Sequence, residues 1–397
     1  MQEKRLSFCT VFPNYRDFHF YKDPGQIPYR FSVRGYDASV VCYGRSGDHP
    51  VTERHLRVIT VPDRFIARKF SAGMVWYLAR HARRTDILSL FHYSWSSLLF
   101  AFIYKTFNRR GFAYLKLDDC LYARRDNGAP GDSADGRLRL GGAGLKSRVR
   151  RFLASRYLER RIDLWSIEDE ESRRMLETGN PRLSGKLITV YNGHTADLAG
   201  APPSGGPGKK EDIILTAGRL GTSQKATEVL LEAFRLTAGS TGYQLHLAGA
   251  VEPSFRQHTE QFFRENPGLA DRVVFYGPLE RRELFELYDR SRIFCLPSRF
   301  EGLAVVLPEA MHYGCAIVTT ADGSLKPLLE AGQFGLLADR DDPRSLADAL
   351  MKLASDREMT AGMGEEARRV SSALLSWDRI TDGLIEEINR RKGLTDK

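Results

Sequence analysis

Between residues 210 and 320 the chain alternates short apolar runs with stretches of helical periodicity, and few folds accommodate that pattern. DIILTAG (212–218), YQLHLAG (243–249), RVVFYG (272–277), RIFCLPS (292–298) and CAIVTT (315–320) are unbroken apolar runs of strand length. Between them, ATEVLLEAFRLT (226–237), SFRQHTEQFFREN (254–266) and ERRELFELYDRS (280–291) repeat apolar residues at helical spacing, and a further helix around VVLPEAMHYG is closed by Gly314. A strand buried on both faces reads as a continuous apolar run, so this alternation predicts a doubly wound parallel sheet. Pro308 suits the first turn of its helix, where a missing N–H costs little.

The first half follows the same rule less regularly. Strands are expected at 37–44, 57–62, 86–92, 112–118, 163–168 and 186–192. The Gly- and Asp-rich stretch 126–145 reads as a mobile loop, and 196–211 as a linker. Two α/β domains joined near residue 205, covering 1–200 and 205–375, are the simplest architecture. Residues 87–104 hold no formal charge and reach the lower length limit of a spanning helix. They also contain His92, Ser89, Ser94, Ser96 and Ser97, which are costly in hydrocarbon. The run divides better into a strand after Asp86 and an amphipathic helix ending near Lys105. A soluble or peripheral protein is expected.

Cysteines 9, 42, 120, 295 and 315 are scattered without a C-x-x-C pair, which argues against a disulfide scaffold or a zinc site and for a reducing compartment. No signal peptide is evident at the N-terminus. Charge divides unevenly: residues 1–200 carry a net +13 and residues 201–397 a net −4. An acidic partner of the first half, membrane or nucleic acid, is one reading, and a solvated basic face the other. In LKSRVRRFLASRYLERRI (145–162), Leu145, Val149, Phe152, Leu153 and Ile162 fall near one face. Such a helix rests on an anionic membrane or packs on its own sheet, and the second is favoured.

Chemistry concentrates after two predicted strands, at the sheet edge where open α/β folds bind ligands. Gly218 and Arg219, with Lys225 at a helix start, combine a guanidinium fork, an ammonium and free helix N–H groups, which suits a pyrophosphate. Glu301-Gly302-Leu303-Ala304-Val305 leads into Glu309. The small loop can aim backbone N–H groups at an anion, and the carboxylates accept from sugar hydroxyls.

AGRLGTSQKATEVLLEAF resembles the diphosphate-binding segment of retaining glycosyltransferase family 4. LPSRFEGLAVVLPEAMHYGCAIVTT resembles its E-x7-E signature, and SWDRITDGLIEEI (376–388) its C-terminal helix. The resemblance implies the GT-B fold: two Rossmann-like doubly wound domains facing each other across a cleft, with residues 376–397 crossing back to the first. It further implies a nucleoside-diphosphate sugar donor held by the second domain, and retention of anomeric configuration. Arg219 and Lys225 would neutralise the leaving diphosphate, aided by N–H groups near Leu303, Ala304 and Val305. Glu301 would hold the donor sugar, Glu309 the ribose, and Leu279 would lie near the base. In the first domain, Gly25 stands where the family has a Gly-rich donor loop, and His92 where it has a histidine at the reaction centre. YNGHTAD (191–197) resembles the family's Asn-Gly turn and reads as structural. No cofactor or metal is implied, although Asp118 and Asp119 form an adjacent acidic pair. The expected partners are the donor and a saccharide or lipid-linked acceptor, with an anionic membrane surface left open and nucleic acid not expected. The setting implied is cytoplasmic or peripheral at the inner face of the plasma membrane. A nucleotide-sugar epimerase and a non-catalytic basic adaptor are the alternatives.

Overall fold

The structure, a computed structural model, describes residues 5–44, 56–63, 65–67, 70–117, 138, 149, 152–198, 209–320 and 325–394. The chain divides into two units, one formed by Met1–Tyr191 with Trp377–Lys397 and the other by Asn192–Ser376.

The first unit runs β1 (Ser7–Val11), α1 (Asp23–Val33), β2 (Asp37–Tyr43), β3 (Arg57–Val61), β4 (Phe65–Ala67), β5 (Phe70–Ser71) and α2 (Ala72–His81). It continues with β6 (Ile87–Phe91), α3 (Trp95–Phe107), β7 (Phe112–Lys116), β8 (Leu164–Ile167), α4 (Glu170–Gly179) and β9 (Leu187–Thr189). Seven strands form a parallel sheet in the order β3-β2-β1-β6-β7-β8-β9, while β4 and β5 pair separately. Every residue of β6 and β7 is buried, as two-sided burial requires. Leu88, Leu90, Leu115 and Trp165 share a core with Met74, Leu78, Leu98 and Tyr104 of α2 and α3. On α1, Phe31 stacks on Phe8 with ring centroids 3.9 Å apart. The helix starts are set by short polar caps: Ser71 for α2, Ser94 for α3 and Asp169 for α4 each accept a first-turn N–H.

The uncharged stretch 87–104 is β6 followed by most of α3, and no helix among the described residues is long and apolar enough to cross a membrane. The basic segment 145–162 departs from the expected face. Ala154, Leu158 and Ile162 are buried, whereas Val149, Phe152, Leu153 and Tyr157 are exposed. Residues 154–158 form a π-helical turn, whose wider period shifts the apolar phase away from a regular helix. Leu145 lies outside the described residues.

The second unit runs β10 (Glu211–Ala217), α5 (Thr227–Thr237), β11 (Gln244–Ala248), α6 (Pro253–Glu265), β12 (Val273–Gly277), α7 (Arg281–Arg290) and β13 (Ser291–Leu296). Then come α8 (Val306–His312), β14 (Ala316–Thr320), α9 (Leu325–Gly332), β15 (Gly335–Ala338), α10 (Pro343–Ser355) and α11 (Arg357–Leu374). Its six parallel strands are ordered β12-β11-β10-β13-β14-β15. Residues 192–198 sit with this unit: the Asn192 side chain donates to the Leu303 carbonyl at 3.0 Å and the His194 N–H to Leu375 at 2.9 Å. The division thus falls earlier than residue 200. The last helix, α12 (Trp377–Lys392), belongs to the first unit, where Asp378 pairs with Arg30 and Arg34, each at 3.0 Å.

In both sheets strand order reverses beside the first strand, between β1 and β6 and between β10 and β13. Each reversal parts the connections on its two sides and opens a crevice at the strands' carboxyl ends. His92 follows β6, and Gly218 and Glu301 follow β10 and β13. Each unit is thus a parallel-sheet α/β domain of the kind that the resemblance to the GT-B fold implies.

Candidate active site

At the switch point of the second unit, β10 ends in Gly218, and the returning chain brings Lys225 back beside it. A Cβ on Gly218 would meet the Lys225 Cε at 3.2 Å. Gly249, after β11, has φ +131° and lies so close that any side chain there would strike the Gly218 carbonyl. Ala226 follows with φ +46°, an uncommon conformation for a residue with a side chain, and starts α5 without a side-chain cap. The first-turn N–H groups of α5 add partial positive charge beside Lys225.

The loop after β13 meets this corner. Lys225 Nζ lies 2.5 Å from Glu301 Oε1, and both side chains are largely covered. Arg299 fastens the two loops: its N–H donates to the Gln224 carbonyl, and its guanidinium reaches Ser223 O, Glu228 and Asp341. Gln224 in turn donates to the Phe300 carbonyl and accepts from Arg219, which is otherwise exposed. Lys225 and Glu301, placed in separate motifs by the sequence, are therefore one ion pair.

Gly302, Ala304 and Val305 are half-buried and Leu303 is buried; Leu279, after β12, is half-buried. Glu309 is 2% exposed. Arg281 Nη2 contacts its Oε1 at 2.6 Å, the Tyr288 hydroxyl donates to Oε2 at 3.4 Å, and Arg281 also bonds the Thr195 hydroxyl. Burial raises the Glu309 pKa and the Arg281 charge opposes that rise. Sequence reasoning missed Arg281 and Arg299. Arg299 stands two residues before Glu301, a signal that proximity to the motif carried. Arg281 begins α7 with no motif around it. Thr195, in the turn read as structural, reaches this same network.

In the first unit His92 is exposed at the end of β6 with φ +60°, and its N–H donates to the Lys116 carbonyl at 2.9 Å. Strained backbone of this kind concentrates at functional sites. Phe12, after β1, contacts both His92 and His19, at centroid distances of 5.6 and 4.9 Å. Gly25 lies in the first turn of α1, buried, where a Cβ would strike the backbone of Phe20. Close packing of α1 on the preceding turn accounts for that glycine. Asp118 and Asp119 lie outside the described residues. Among the described residues no three His, Cys, Asp or Glu side chains are grouped to hold a metal ion.

Known proteins resemble this chain in sequence over its second half and in fold over nearly its whole length. A D-inositol 3-phosphate glycosyltransferase of Corynebacterium urealyticum is 34% identical over 122 residues, 31% of this chain and 28% of that protein. The aligned region thus spans less than a third of that relative's length. Over nearly the full chain the fold is that of sucrose-phosphate synthase from Thermosynechococcus elongatus, with a TM-score of 0.70, 17% identity and coverage of 98% and 100% of the two chains. Anabaena HepE in complex with UDP-glucose is similar at a TM-score of 0.68, 17% identity and coverage of 97% and 100%. In fold the chain is GT-B, and its residues 201–370 match the family described as glycosyl transferases group 1.

Proposed function

We propose that this chain is a retaining hexosyltransferase that moves a sugar from a nucleoside diphosphate to a saccharide or lipid-linked acceptor, in surface polysaccharide or glycolipid synthesis. The observation that carries the reading is the Lys225–Glu301 pair at the switch point of the second sheet. A diphosphate arriving at the start of α5 competes for the Lys225 ammonium and frees Glu301 for the hydroxyls of the transferred sugar. Arg219, exposed on the same loop, supplies a second cation to the leaving group. Glu309 takes the ribose hydroxyls by exchanging one of its bonds to Arg281 or Tyr288, and Leu279 lies by the base. The backbone of residues 302–305 completes the phosphate contacts. In the first unit, His92 acts on the donor sugar and Gly25 supports the turn that precedes α1. With cations and a helix start neutralising the diphosphate, the reaction needs no divalent metal.

The first unit is read as the acceptor-binding part, peripheral to the inner face of the plasma membrane. Trp76, Phe107, Phe152 and Tyr157 are exposed aromatics, and Arg80 and Arg156 lie over the Trp76 and Tyr157 rings. Aromatic rings mixed with arginines suit the headgroup layer of an anionic bilayer. A diphosphate-release panel over uridine, guanosine and adenosine diphosphate sugars, each with and without EDTA, tests the reading. Release from one activated sugar, unchanged by EDTA, is expected. No release from any of them would overturn transfer, and loss with EDTA restored by manganese or magnesium would overturn metal independence.

A further inference from the structure

The second sheet has another ligand-sized feature at its opposite edge. Where β10 and β13 begin, a cavity of about 480 Å³ opens beside α11. Small-molecule sites are typically about 300–1,000 Å³. Strand β10 has seven residues, so at about 3.3 Å per residue the cavity lies on the order of 20 Å from the Gly218 loop. It is separate from the site described above.

Its lining is cationic. Lys210, Arg292, Arg368 and Arg369 stand against Glu365, the one acid among the lining residues. Three of these cations are already engaged. Lys210 Nζ donates to the carbonyls of Tyr288, Ser291 and Tyr313 at 2.8–3.0 Å. Arg292 pairs with Asp212 at 2.9 Å, and Arg369 with Glu366 at 2.5 Å.

Arg368 differs. It is half-buried, its Nη2 makes one long bond of 3.3 Å to the Tyr313 carbonyl, and its Nε is buried without an acceptor. Among the described residues no carboxylate lies within ion-pairing distance of it. A covered guanidinium without an anion is costly, because lost hydration is not replaced. Its position is nevertheless built. A Cβ on Gly314 would sit 2.7 Å from Nη2, so the guanidinium lies against bare backbone there. Gly364, one turn earlier on α11, lets that helix touch the Gly314 carbonyl.

We propose that this cavity binds a small organic oxyanion, a phosphate monoester or a carboxylate, through the Arg368 fork, with the surface of α11 at Ala361 and Gly364 covering its apolar body. The planar guanidinium matches either anion with two parallel hydrogen bonds.

The test is a thermal-shift titration of the full chain with inorganic phosphate, and separately with acetate. A Lys225→Ala background weakens binding at the diphosphate corner, and the Arg368 and Ser372 variants are compared within it. Expected is a saturable stabilisation by at least one anion, and the better of the two identifies the anion class. Adding Arg368→Met should weaken that anion's apparent affinity at least tenfold. Ser372→Glu, one turn after Arg368 on α11, supplies an internal carboxylate and should block binding while keeping the fold, even if the methionine variant folds poorly. Comparing variants at equal salt removes the general stabilising effect of phosphate. The proposal is overturned if neither anion gives a saturable response, or if the response survives Ser372→Glu.

Discussion

Lys225 Nζ lies 2.5 Å from Glu301 Oε1, joining the start of α5 to the loop after β13 across 76 residues of sequence. The two groups proposed for the leaving diphosphate and for the transferred sugar neutralise one another until a donor separates them. Lys225→Ala and Glu301→Gln should each lower diphosphate release by about 10²–10³-fold, the cost of removing one preorganised electrostatic contact. Each also takes the ion pair away from a covered partner, so stability should fall by about 1–3 kcal/mol. The double variant Lys225→Met with Glu301→Gln should recover the stability and not the activity. Denaturant melts beside a release assay check this. An active double variant would refute the assignment.

Arg281 is expected to matter more for folding than its half-buried position suggests. It is the cation on Glu309, whose carboxylate is buried, and it also holds the Thr195 hydroxyl. Arg281→Ala should cost about 3–5 kcal/mol, because it strands a buried acid. Glu309→Gln should cost less. Urea unfolding measures both, and equal costs would mean that burial of the Glu309 charge is not the cause.

Acid stability should depend on Glu170. Hydrogen bonds from Arg173, with help from Thr189, hold its carboxyl at about 2, below the ordinary value of 4.5. The folded state therefore binds its proton less readily than the unfolded chain. Its stabilisation is complete above about pH 4.5 and is lost as pH falls toward about 2. Glu170→Gln should flatten that part of the stability–pH curve and leave the shape near neutrality unchanged. Circular dichroism melts between pH 2 and pH 7 would show it, and an unaltered acid limb would refute it.

Vesicle binding should need both charge and aromatics. Anionic vesicles are expected to bind the full chain at low salt and to release it as salt screens the arginines, while neutral vesicles bind poorly. Trp76→Ser and Phe152→Ser should each weaken binding without changing the salt dependence. Sedimentation with phosphatidylserine vesicles decides the matter. Absence of binding at low salt would leave the basic face a solvated surface and favour a soluble acceptor.

What the sequence revealed depended on whether a residue's neighbours lay nearby along the chain. β10 to β14 were legible because two-sided burial makes each an unbroken apolar run, such as Ile213 to Ala217. β15, with four residues and a glycine start, carried too little of that signal. Gly218, Arg219, Lys225 and Glu301 were legible from spacing within strand–loop–helix segments. Arg281 was not, because its partner Glu309 is 28 residues away and no local pattern marks it. The 145–162 face was misread because helical phase was counted at a regular period through a π-helical turn.

The first unit is assembled from two stretches of chain that are separated by the whole of the second. The Arg30 side chain is 5% exposed, and its carboxylate partner Asp378 comes 348 residues later. A ribosome releases the contiguous second unit complete before it releases α12, so that unit can finish folding while the first still lacks its closing helix. Until then the Asp378 and Asp382 carboxylates that pair with Arg30 and Arg34 are missing, and the α1 surface that α12 covers stays open to water or to a chaperone. Contacts of such sequence separation form late, because a long loop must close before they stabilise anything. Helix α12 thus acts as a completion signal for the first unit: a nascent chain stopped just before Trp377 carries the whole second unit and an unfinished first one.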